Sequence, residues 1–219
     1  MPYCKKILLL GGGGHCLSVI DTLKGLNSYN TIGIIEKEME EKNPPKRTLG
    51  VSVMGTDEDL EKFYQEGFTD AFVTVGSIGD ISLRQKLYKR MKEIGFHIPN
   101  IIDRASVVSD ETAMGEGIYI GKGAVINAGV AIGNMAIINT ASVIEHECRI
   151  GEFVHVAPRS VLCGNVYIGN GSHVGAGSVV KQGVQVGANT MIGMGSVVLH
   201  NMGDNATAYG NPCVERKSG

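Results

Sequence analysis

Residues 150–197 read IGEFVH VAPRSV LCGNVY IGNGSH VGAGSV VKQGVQ VGANTM IGMGSV, eight lines of six, each opened by an aliphatic side chain. The period runs outward in both directions. From Ile102 to Val198 an aliphatic residue falls at every sixth position, seventeen times without a miss. Eight of the seventeen are followed directly by glycine, as at Gly115, Gly133, Gly151 and Gly169. The fifth place of each line is mostly small or β-branched, as in Ala124, Ser142, Ser160 and Ser178. Neither a 3.6-residue nor a 2-residue period gives this pattern, so it is neither an amphipathic helix nor a half-buried strand. A strict hexad predicts a parallel β-helix wound around a three-sided prism, with 18 residues to a coil. The 97 residues of the series make five to six coils, roughly 26 Å long at the strand spacing.

Residues 1–99 follow a different grammar, alternating strands with helices. Lys5–Leu10 is an apolar strand running into Gly11–Gly14, and residues 16–24 have helical spacing through Leu17, Ile20 and Leu23. Residues 31–35 form a second strand closed by Glu36, and residues 41–46, with Pro44 and Pro45, a polar loop. Residues 51–54 are strand-like, and Thr56 with Asp59 resembles a capping box opening a helix to about Gln65. A buried strand over 71–75, a loop over 76–80 and a helix over 81–94 complete the alternation. It predicts a small parallel sheet covered by helices. Pro99 marks the change of grammar. The expected division is an α/β, Rossmann-like domain over 1–100, a β-helix over 101–200 and a tail over 201–219.

Composition narrows the function. A net charge of −2 gives no electrostatic case for nucleic acid or an anionic membrane. The apolar stretch Ile7–Leu10 is far too short to span a bilayer. Five scattered cysteines with no CxxC pair suggest neither a disulfide scaffold nor a zinc ribbon. A soluble protein of a reducing compartment, the cytoplasm, is expected.

Two places carry chemistry. Where the first strand meets its helix, glycines let backbone N–H groups approach an anion, and the helix N-terminus favours phosphate. Gly11 and Gly13 fit the dinucleotide fingerprint, but Cys16 stands at its third small position. Glu36, ending the second strand, is placed to accept from a sugar hydroxyl. In the prism, Glu145-His146-Glu147 interrupts otherwise bland hexads. A dry aliphatic interior forces these side chains outside, at a corner. His146 lies eighteen residues before Gly164, hence directly beneath it, and a base beside a backbone N–H donor suits acyl transfer.

The run Val143-Ile144-Glu145-His146-Glu147-Cys148, with Asn139–Ser142 before it, then Ile150–Phe153, His155, Cys163–Val166 and Gly210-Asn211-Pro212, resembles the hexapeptide-repeat sugar acetyltransferases. The likeness is to the UDP-4-amino-sugar N-acetyltransferases and sialic acid O-acetyltransferase-like proteins. It implies a left-handed β-helix, an exception to the usual right-handed crossover, assembled as a homotrimer. It also implies acetyl-CoA lying between two subunits and a nucleotide-linked amino sugar, UDP-linked by expectation, on the N-terminal domain. Carried onto this chain, His146 is the general base and Glu147 the acid orienting it. Asn139, His155, Gly164, Ala176 and Gly193 are coenzyme positions, and Gly13, Gly14, His15, Glu36 and Lys37 sugar-nucleotide positions. Lys37 departs from the family's usual acidic pair. Asn139, Gly175 and Gly193 fall in one eighteen-residue column, a strip of small residues on which a pantetheine arm could lie.

Competing readings are O-acetylation of a sialic acid, a hydratase with a metal on His146, His155 and His173, and a non-catalytic nucleotide-binding scaffold. Half a coil separates His146 from His155, which argues against the metal, and none is expected. Cys148 and Cys163 read as small buried hydrophobes rather than nucleophiles. His97 and His200 read as structural or solvated, and Arg84 as a surface cation.

Overall fold

A computed structural model of the chain describes residues 5–38 and 47–216. The chain forms two compact units, Met1–Gly76 with Ser82–Ile101, and Ser77–Ile81 with Ile102–Gly219. The expected polar loop over residues 41–46 lies outside the described residues.

In the first unit, β1 (Lys6–Leu10) pairs in parallel with β2 (Thr31–Glu36) on one side and β5 (Asp70–Val73) on the other. β2 pairs with β4 (Val51–Thr56), and the short β3 (Arg47–Thr48) lies antiparallel at the edge of β4. The order β3-β4-β2-β1-β5 puts the chain reversal beside β1. That is the switch point of a doubly wound sheet, where a crevice opens at the strands' carboxyl ends. Ile7 to Leu10 are fully buried, as expected of a strand covered on both faces. The helices are α1 (Gly14–Leu26), α2 (Leu60–Gln65) and α3 (Ser82–Ile94). The capping box forms, with Thr56 N–H donating to Asp59 Oδ2 at 2.9 Å. Arg84 corrects the sequence reading. It lies on the buried stripe of α3 with Leu87 and Met91, is 2 % exposed, and burial lowers its guanidinium to about 10.

The second unit is a left-handed parallel β-helix. Two-residue strands stack with partners eighteen residues apart, so Val125 pairs with Val143 and Val143 with Val161. Three faces result. The valine face presents Val107, Val125, Val143, Val161, Val179 and Val197 outward. The tyrosine face carries Ala113, Ala131, Arg149, Tyr167 and Gln185. The histidine face carries Tyr119, Ile137, His155, His173 and Met191.

The hexad aliphatics from Ile120 onward fill one continuous interior. The small fifth positions carry hydroxyls that bond across coils. Ser160 Oγ donates to Gly175 O at 2.9 Å and Ser178 Oγ to Gly193 O at 3.0 Å. Each hydroxyl thus bonds a carbonyl of the next coil and is satisfied inside a dry core. Glycine serves two purposes. A Cβ on Gly169 would come within 2.5 Å of Ala188 N, so the residue after the aliphatic must let the next coil pass. The third residue after the aliphatic is left-handed, whether Gly177 (φ 68°), Asn165 (φ 56°) or Glu147 (φ 59°). A left-handed corner explains only the second kind.

Ser77–Ile81, read as a plain loop, is a strap on the histidine face. His155 Nδ1–H donates to Ser77 O at 3.0 Å, and a Cβ on Gly79 would sit 2.6 Å from Met191 Cε. At the far end the tail strand Thr207–Tyr209 extends the same face and pairs antiparallel with Val214–Glu215. Ala208, Cys213 and Met202 close the core there. Among the described residues no helix is long and apolar enough to cross a membrane, and no three metal-ligating side chains converge.

Candidate active site

His146 and Glu147 stand in the turn that follows strand Val143–Ile144, at the edge between the valine and tyrosine faces. The left-handed φ of Glu147 lets its carboxylate reach back, placing Oε2 3.3 Å from His146 Nδ1. Both side chains are more than half exposed, at 53 % and 71 %. An ion pair in that setting adds little stability. Its effect is on the proton: a carboxylate holds hydrogen on Nδ1 and leaves the Nε2 lone pair open. Gly164 lies one coil on, and a Cβ there would come within 2.5 Å of Nε2. Glycine is therefore what lets the ring lie over the backbone. The main chain fixes the turn, with Asn165 N–H donating to His146 O at 2.8 Å.

Asn139 and His155 form a second cluster, with Asn139 Nδ2 3.2 Å from His155 Nε2. Thr140 N–H donates to Asn139 Oδ1 at 2.8 Å and fixes the amide's orientation. Asn139, Ala157, Gly175 and Gly193 stack at the edge between the histidine and valine faces, with Ala176 in the same set of turns. Tyr209 ends the column, its Cβ 2.7 Å from where a Cβ of Gly193 would be. The Arg216 guanidinium lies 4.5 Å from the centre of the Tyr209 ring.

The predicted prism residues thus fall into two groups. His146, Glu147 and Gly164 come together, and so do Asn139, His155, Ala176 and Gly193. Within one chain the whole width of the valine face, strand Val143–Ile144, stands between them. The residue after the aliphatic carries a side chain all along the His146 edge, as in Glu145 and Cys163, and on the other edge at Asn139 and Ala157 but not at Gly121, Gly175 or Gly193. The third edge has glycine at all five such places, Gly115 to Gly187.

In the first unit, Gly13 is the N-cap of α1 and Gly14 opens the helix, with His15 in its first turn. Gly12 N–H donates to Glu36 Oε1 at 3.1 Å, so the carboxylate props the glycine loop. Lys37 follows β2 directly and is exposed. Cys16 is fully buried in α1, where burial pushes its thiol up to about 11. The sequence reading sets the tail over 201–219 against the coenzyme or a neighbour without singling out Tyr209 or Arg216, notes Ser77 only as a departure from the family pattern, and assigns His173 only to a metal.

With this geometry in view, comparisons with known proteins become informative. Residues 6–91 match the PglD N-terminal domain family, and residues 147–182 the bacterial transferase hexapeptide (six repeats). No curated protein sequence matches. Among solved structures, perosamine N-acetyltransferase of Caulobacter crescentus, in complex with CoA and GDP-perosamine, is 36 % identical, with TM-score 0.88 over 97 % of each chain. The chain belongs to the hexapeptide-repeat sugar acetyltransferases. The acetyltransferase domain of PglB from Neisseria gonorrhoeae, in complex with acetyl coenzyme A, is 29 % identical, with TM-score 0.88 over 97 % of this chain and 99 % of that one. WeeI of Acinetobacter baumannii, 21 % identical with TM-score 0.85 over 97 % of this chain and all of that one, shares the fold. Acetyl transfer from acetyl-CoA is the activity of this acetyltransferase.

Proposed function

We propose that this chain N-acetylates the 4-amino group of a nucleotide-linked deoxysugar, at sites each built from two copies of the chain. The observation that carries the chemistry is the His146 ring, paired with Glu147 and lying over Gly164. The neutral amine attacks the thioester carbonyl carbon, and Nε2 of His146 takes the proton that the nitrogen sheds. The C–S bond then breaks, the amide forms, and the proton passes to the departing sulfur. The N–H of Gly164 is the donor beside the base for the oxyanion. Direct transfer needs no thiol: Cys148 is fully buried, and burial pushes it up to about 11.

The separation of the two clusters supports a trimer. Six outward valines make an apolar face, with Val107 64 % and Val179 37 % exposed in the single chain. Turned toward a threefold axis, three such faces bury one another. Each closing contact then sets the His146 edge of one copy against the Asn139 edge of the next. The coenzyme lies along that seam. Four coils separate Asn139 from Tyr209, about 19 Å. The twelve bonds of a pantetheine arm span about 14 Å, by comparison with four extended residues. The arm therefore ends near the level of Gly193, about 5 Å short of Tyr209, and the diphosphate and adenosine beyond it extend to Tyr209 and Arg216.

The glycine loop, Gly13 to His15, faces the sugar nucleotide's phosphates, with Glu36 and Lys37 beside it. The sequence resemblance favours a UDP sugar, and the GDP-perosamine of the Caulobacter relative makes guanine the second base to test. Turnover with UDP- and GDP-linked 4-amino sugars, scored for amide product, decides both acceptor and base. His146→Ala should lower kcat by about 10²- to 10⁴-fold with the trimer intact. Arg216→Ala should raise the KM for acetyl-CoA alone. Wild-type turnover in His146→Ala would refute the assignment.

A further inference from the structure

The hydrogen bonds around His155 admit one protonation state. Ser77 O can only accept, so Nδ1, 3.0 Å away, carries a hydrogen. Asn139 Oδ1 already accepts from Thr140 N–H, so the amide turns its nitrogen toward His155. Nε2 must then accept, because a hydrogen there would meet the amide N–H head-on. The ring is neutral, in the Nδ1–H form.

His173 stacks on it one coil on, the two rings 4.9 Å apart at 78°. His173 is only 8 % exposed, burial lowers its pKa, and its Nδ1 has no hydrogen-bond partner among the described residues. A buried, unpaired imidazole nitrogen is a poor neighbour for a cation, so the pair is an edge-to-face contact of two neutral rings. One group in the cluster remains unused. The Asn139 amide has two N–H bonds, of which His155 takes one; the second has no partner among the described residues.

We propose that His155 is a positioning residue: locked between the Ser77 carbonyl and the Asn139 amide, with His173 packed on it, it presents the second Asn139 N–H to the thioester carbonyl. This rests on the acetyl-transfer reading. It departs from the expectation that His155 itself contacts the coenzyme. Both of its nitrogens are spent, one on the strap and one on the amide, so the donor that this cluster adds, across the seam from the Gly164 N–H, is Asn139. The strap Ser77–Ile81 becomes part of the acyl site through that imidazole.

Glutamine tests this, because its amide can donate to Ser77 O and accept from Asn139 as the locked tautomer does, but can neither carry charge nor shuttle a proton. His155→Gln should keep kcat within about tenfold of wild type with an unchanged KM for acetyl-CoA. His155→Ala should lose roughly 10²-fold or more in kcat, the scale of a lost oxyanion donor. Equal loss in both variants, or none in the alanine variant, overturns the proposal. ¹⁵N NMR of the wild-type imidazole decides independently of activity: an unprotonated, hydrogen-bonded Nε2 is expected, and an Nε2–H tautomer or imidazolium overturns it. If the wild-type enzyme acetylates no amino sugar, the parent reading fails while the NMR result still stands.

Discussion

At the scale of single residues, position 164 shows how a side chain can be excluded by its neighbour rather than by its own backbone. Nothing about the φ of Gly164 demands glycine; the His146 ring does. The ring is half exposed and free to swing away, so a methyl group should cost little stability. It should cost catalysis, because the ring that yields is the proposed base. Gly164→Ala is expected to lower kcat by about 10²-fold with Tm nearly unchanged, the loss characteristic of a displaced catalytic group. An active Gly164→Ala enzyme would mean that the ring does not work from this pose. The pairing of His146 with Gly164 was legible in the sequence because eighteen residues separate them and the hexads fix the coil. The contact of His155 with Ser77 was not, since the two lie 78 positions apart and no periodicity links a loop to a coil.

At the scale of elements, the coil imposes two different demands on glycine, and substitutions can tell them apart. At Gly169 a Cβ would strike Ala188 N at 2.5 Å and Gly187 C at 2.6 Å, both main-chain atoms that cannot step aside. Gly177 has open space around its missing Cβ and needs only a left-handed φ, which Asn165 and Asn189 adopt at the equivalent turn position. Gly169→Ala should destabilise by about 2–3 kcal/mol, and Gly177→Asn by less than about 0.5 kcal/mol. Urea unfolding midpoints compare them, and the reverse order would contradict this account of stacking. Every strand of the prism was foreseeable, because each hexad obeys the same rule. The α/β elements other than the edge strand Arg47–Thr48 were foreseeable to within a few residues, through apolar runs and the Thr56–Asp59 cap. Arg84 was not. A cation on the inner stripe of α3 violates the pattern that sequence reading relies on, and only packing reveals it.

At the scale of the whole molecule, the prism residues named from sequence lie in two clusters on opposite edges of one face rather than in one. Hexad arithmetic places residues on faces and edges but says nothing about which edges meet across copies. In the proposed trimer the valine face supplies that step: it is apolar, continuous and flanked on one edge by His146 and on the other by Asn139. Complementation between two inactive variants tests this directly. His146→Ala retains an intact Asn139 edge, and Asn139→Ala an intact His146 edge. Co-refolded at equal amounts, randomly assorted trimers hold both intact edges at about one seam in four, by the closed threefold contact. The account predicts recovery of about a quarter of the wild-type turnover from parents that each have almost none. A mixture as inactive as its parents, with mixed trimers shown to have formed, would contradict it.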